Sequence, residues 1–98
     1  MSDWSFAQID PKEQLARLHH FSMKKPVEGG EVEIRITVYE YYTPKDPSMK
    51  FVALADRQVN QKLAAIRPAG WGNSLLTALA ECIRVIGKFP YDGPADPG

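Results

Sequence analysis

The sequence predicts an α+β domain in which a helix, a three-stranded antiparallel sheet and a second helix follow one another (αβββα). Three observations carry this. Asp10-Pro11-Lys12-Glu13 has the form of a helix start. Residues 31–43 alternate apolar and polar with a period of two. Residues 75–88 are apolar around most of a helical circumference.

Residues 1–9 read as an extended lead-in. Trp4, Phe6 and Ile9 are costly to leave in water, so the segment is expected to dock. The first helix then starts at Asp10. That side chain suits the N-cap, Pro11 suits a position where its missing N–H costs nothing, and Glu13 completes a capping box. The helix is expected to run to His20 or Phe21, with Leu15, Leu18 and Phe21 as its inner stripe. Lys24-Lys25-Pro26 and Glu28-Gly29-Gly30 read as a loop.

Glu31 to Thr43 is the clearest strand. Val32, Ile34, Ile36 and Val38 face the core, and Glu33, Arg35, Thr37, Tyr39 and Tyr41 face away. Thr43 to Ser48 is a turn, since its two prolines cannot continue a ladder. Met49 to Arg57 is a second strand. Phe51, Ala53 and Ala55 lie on one side, Val52 and Leu54 on the other, and two apolar sides suggest a central position. Gln58 to Arg67 is good helix material by propensity, but a short connection favours a hairpin with a third strand at Leu63–Ile66. Residues 68–74 read as a glycine-bracketed turn. In the closing helix Thr77, Glu81, Arg84 and Lys88 share one polar stripe, so the apolar remainder needs cover on two sides, from a sheet and from another helix or chain. The expected organisation is one domain over 1–98: the lead-in at 1–9, a globular core at 10–88, and a Pro/Gly-rich tail at 89–98 pinned at its start by Phe89 and Tyr91.

This element order resembles the double-stranded RNA-binding-domain fold over residues 10–88. In that family a glycine and then a lysine cluster at the second helix grip phosphates. Here Gly72 and Ser74 occupy the loop and the helix start, but Leu75 and Leu76 stand where the lysines would be. The resemblance therefore implies the fold and no RNA site.

Composition narrows the function. Twelve lysines and arginines balance twelve acids, and no part of the chain is strongly biased, which argues against avid nucleic-acid binding. One cysteine, Cys82, excludes an internal disulfide and multi-thiolate zinc sites. There is no uninterrupted apolar run of membrane-spanning length, and the N-terminus lacks the form of a secretory signal, so a cytoplasmic protein away from membranes is expected. His19-His20 would point about 100° apart on a helix, so no metal site is expected. Cys82 among apolar neighbours should be an inert structural thiol. Asp56 and Arg57, adjacent in a strand, face opposite sides and do not meet.

Two places remain as candidate sites. Gly70-Trp71-Gly72-Asn73-Ser74 sets a large ring between glycines at a helix start. Arg35, Tyr39 and Tyr41 share a strand face. The binding residues expected are thus Trp71, Gly72, Asn73, Ser74, Arg35, Tyr39 and Tyr41. No nucleophile–base pair or paired carboxylates appear. A non-enzymatic binding or assembly module is expected, self-associating as a homo-oligomer or docking a protein partner, with no cofactor. The alternative is a weak nucleic-acid binder using Arg35, Arg57, Arg67, Lys24 and Lys25.

Overall fold

The computed structural model describes residues 3–44 and 46–96. Met1 and Ser2 of the lead-in, Lys45 of the turn and the last two tail residues lie outside that range. Four strands, β1 (Ala16–Val27), β2 (Gly30–Tyr41), β3 (Phe51–Ala55) and β4 (Ala69–Gly72), form one antiparallel sheet in chain order. A single α-helix, α1 (Leu75–Lys88), comes after them. This overturns both the αβββα order and the likeness to the double-stranded RNA-binding fold. Among the described residues there is no N-terminal α-helix, and the sheet has four strands.

The expected first helix fails for a local reason and a long-range one. Residues 10–13 form a turn instead: Asp10 Oδ1 accepts from the Lys12 N–H at 2.9 Å, and the Glu13 N–H donates to the Asp10 carbonyl at 3.0 Å. A turn and a helix cap share these first bonds, and the residues after Glu13 decide between them. Here β1 pairs with β2 over its whole length, from Ala16 opposite Tyr41 to Val27 opposite Gly30. A marginal isolated helix cannot compete with that ladder. The pairing puts Phe21, Met23 and Val27 on the side of Ile36 and Ile34, where they pack against the core. The residues read as a loop continue the strand. Pro26 is tolerated because β1 is an edge. Lys25 faces inward because its Nζ donates to the carbonyls of Ile86 (2.6 Å) and Phe89 (2.9 Å), closing the C-terminal end of α1. Gly29, at φ +87°, turns the chain into β2.

β2 and β3 follow their predicted parity. Val32, Ile34, Ile36, Val38, Ala53 and Ala55 are buried, and β3 lies between β2 and β4. The hairpin expected at 58–67 reduces to one bridge, Val59 with Ile66, around Asn60 at φ +58°. Leu63, expected in a strand, stands 86% exposed. The fourth strand comes later, in the segment read as a turn. Gly70 and Gly72 point at α1, which lies close against them. A β-carbon on Gly70 would stand 2.7 Å from the Cys82 nitrogen and in collision with the Ala78 carbonyl oxygen. One on Gly72 would lie 2.8 Å from Thr77 Cβ. Alternation sends Trp71 to the other face.

α1 begins as expected, with the Ser74 hydroxyl accepting from the Thr77 N–H at 3.1 Å. Ala78, Cys82 and Ile86 are buried on the sheet. With no first helix to cover its outer side, Leu76 is 76% exposed, Ile83 is 38% exposed and Ala80 is exposed. Of the lead-in's large apolar residues, Trp4 alone docks, edge-on to Tyr42 with ring centroids 6.3 Å apart, while Phe6 and Ile9 are exposed. The tail is tied down well past Tyr91. Asp96 Oδ2 accepts from the Glu33 N–H (2.8 Å), and its Oδ1 pairs with Arg57 (2.7 Å). Among the described residues no helix is long and apolar enough to cross a membrane.

Candidate functional site

One face of the sheet carries α1, and the other carries no element among the described residues. Register assigns its occupants. Tyr39 lies opposite Val52, and Val52 opposite Trp71, so the three side chains share the uncovered face. Arg35 and Tyr41 join them by parity along β2. The fold thus brings Trp71 together with Arg35, Tyr39 and Tyr41, which the sequence offered as two separate candidate sites. It does not add the rest. Gly72 faces α1, Ser74 caps that helix, and Asn73 is exposed in the connection between β4 and α1.

The face has two halves. Toward the β4 end it is apolar and aromatic. Trp71 is 55% exposed, Leu18 47% and Leu54 38%, and Tyr39 and Tyr41 stack on each other with centroids 6.2 Å apart. Toward the β1–β2 turn it is polar. The Ser22 hydroxyl donates to Glu33 Oε2 at 2.6 Å, and Arg35 lies 3.5 Å from Glu33 Oε1. That hydroxyl bond and the nearby guanidinium hold the Glu33 carboxyl below its ordinary range. Between the halves lies an open cleft of about 640 Å³, lined by His20, Arg35, Thr37, Tyr39, Leu54 and Arg67 among others. Sequence reading leaves His20 and Leu54 out of the candidate sites, putting His20 in a helix, and it names Arg67 only among the charges of the nucleic-acid alternative. The parity of β3 already sets Leu54 opposite the core, which is the available signal.

The polar groups of this face contact one another. The Ser22 hydroxyl donates to the Glu33 carboxylate, which Arg35 also approaches. His20 Nδ1 lies 3.3 Å from the Thr37 hydroxyl. Strand alternation sends His19 to the opposite face, where it pairs with Glu40 at 2.8 Å, so the two histidines cannot share an ion. No group of three or more metal-ligating side chains gathers among the described residues. Cys82 is buried on the sheet-facing side of α1, and burial pushes its thiol up to about 11, far from a reactive thiolate.

The five cations of the nucleic-acid alternative are dispersed. Lys25 is spent on the end of α1. Arg57 is held by the Tyr91 hydroxyl (3.1 Å) and Asp96, which raise its pKa. Lys24 lies 3.8 Å from Glu31 at the exposed turn end of the hairpin. Of the five, only Arg35 and Arg67 line the cleft. Asp56 and Arg57 do not meet as a pair: Asp56 Oδ1 accepts from the Arg35 N–H, and Arg57 turns to the tail. No protein-family model, no curated protein and no solved structure matches this chain.

Proposed function

We propose that this chain is a non-enzymatic binding and assembly module that self-associates through the uncovered face of its sheet. One observation carries the reading. Leu18, Leu54 and Trp71 stand in water on a sheet face that no described element of the fold covers. Apolar surface of this kind, rimmed by polar groups such as Glu33 and Arg35, is what interaction sites present. The exposed Leu76–Ile83 stripe of α1 supports self-association as a second apolar surface, and a chain of this size gains stability from any further burial.

Light scattering on the eluting chain tests the assembly. The expected result is a mass that rises toward the dimer at high micromolar concentration, and Leu54→Glu returns it to the monomer. A wild-type chain that stays monomeric throughout contradicts the reading. The nucleic-acid alternative predicts instead salt-sensitive binding to duplex RNA or a single strand. The scatter of the cations and the mutual stacking of Tyr39 and Tyr41, which occupies one face of each ring, favour the protein-binding reading.

A further inference from the structure

The ladder between β3 and β4 fixes which backbone groups are free. The Ala55 N–H donates to the Pro68 carbonyl at 3.0 Å, so residues 55 and 68 form a hydrogen-bonded pair. Antiparallel alternation makes 53 with 70 and 51 with 72 bonded pairs as well, and leaves 54 with 69 and 52 with 71 non-bonded. The other side of β3 agrees. Asp56 N–H donates to Arg35 and Tyr41 N–H to Lys50, so the even residues of β3 bond β2. The N–H and C=O groups of Ala69 and Trp71 therefore point away from the sheet. β4 is its last strand, and no backbone bond from these groups to another element occurs among the described residues.

Beside this edge runs a groove of about 310 Å³ between β4 and the flank of α1. Its lining includes Gly70, Trp71, Thr77, Glu81 and Val85. A β-carbon on Gly70 would stand 2.8 Å from Glu81 Cβ, so the Glu81 side chain springs from beside the β4 backbone. Glu81 pairs with Arg84 through Oε2, which leaves Oε1 without a partner among the described residues.

We propose that the edge of β4 accepts an extended peptide segment carrying a lysine or arginine, added as a fifth strand. This rests on the binding-module reading and names the ligand class for one edge of it. The segment would bond the free groups of Ala69 and Trp71, a recognised mode of strand addition. Charge selects its side chains. A residue opposite Gly70 points to the α1 side, toward the Glu81 carboxylate. Its neighbour opposite Trp71 lies on the uncovered face beside an exposed indole, which attracts a cation.

The test titrates the isotope-labelled full chain with a short synthetic peptide alternating threonine and lysine, and separately with one alternating threonine and glutamate. The lysine peptide should bind and slow amide exchange at Ala69 and Trp71. Glu81→Gln should weaken it about threefold to fivefold, as expected for a half-exposed ion pair, and Glu81→Lys should shift preference to the glutamate peptide. Equal affinity for both peptides, protection at the β1 edge instead, or indifference to Glu81→Lys overturns the proposal. Slowed amide exchange at both Ala69 and Trp71 that grows with the chain's own concentration, without peptide, also overturns it by making a second copy's strand the occupant of the edge; burial of the Trp71 ring on the sheet face alone does not slow these amides. The self-association of the wild-type chain is measured separately, so the failure of one reading leaves the other standing.

Discussion

Gly70 shows how one missing side chain sets the architecture. α1 lies against β4 because nothing projects between them, and Cys82 and Ala78 fill the space that a β-carbon would need. Gly70→Ala is expected to destabilise the fold by about 1–3 kcal/mol, the usual range for overpacking, measured by urea denaturation. Cys82 contributes a pH dependence of definite sign. Its folded-state value of about 11 lies above the ordinary 9.0, so the unfolded chain loses the proton first as pH rises. The neutral thiol's share of stability is intact below pH 9 and is lost between 9 and about 11, with a slope of at most about 1.4 kcal/mol per pH unit. Urea titrations in that window should show Cys82→Ala declining less steeply than wild type; equal slopes would contradict the assignment.

At the scale of elements, Lys25 joins the first strand to the last helix. Its two charged hydrogen bonds satisfy carbonyls that α1 cannot satisfy itself. Lys25→Met keeps the aliphatic stem and removes the donor, with an expected loss of about 1.5–3 kcal/mol in thermal or urea unfolding. The same residue explains part of what the sequence conceals. A lysine at an inward position, with Pro26 directly after it, breaks the alternation that Phe21, Met23 and Val27 otherwise display. β2 is legible because its inward residues from Val32 to Val38 are all β-branched, and the outward ones between them, Glu33, Arg35 and Thr37, are polar. β3 is legible from its two apolar sides, and α1 from its periodicity. β4 is not, since two of its four residues are glycine and strand propensity there is minimal. Its position depends on α1, a contact that only the folded chain reveals.

At the scale of the molecule, the long β1–β2 hairpin gives an extended body, 48 × 25 × 21 Å, with a radius of gyration of 15.6 Å against about 13 Å for a compact domain of this length. One helix cannot cover such a sheet, and it covers none of the second face. The grouping of Arg35, Tyr39, Tyr41 and Trp71 is half legible in the sequence. Parity joins the first three, but Trp71 reaches them only once Gly70-Trp71-Gly72 becomes a strand. The tail adds a long-range tie through Asp96 to β2 and Arg57, and Asp96→Ala is expected to speed amide exchange at Glu33, which loses its acceptor.

Hydroxyl-radical labelling of the full chain across a range of protein concentrations probes the uncovered face most directly. Trp71 and Leu54 should become protected together as concentration rises, while Leu63, far out on its loop and 86% exposed, stays reactive. Unchanging reactivity at Trp71 and Leu54, up to the concentration at which Leu63 itself begins to change, would contradict the assignment of that face as the surface on which copies of this chain meet.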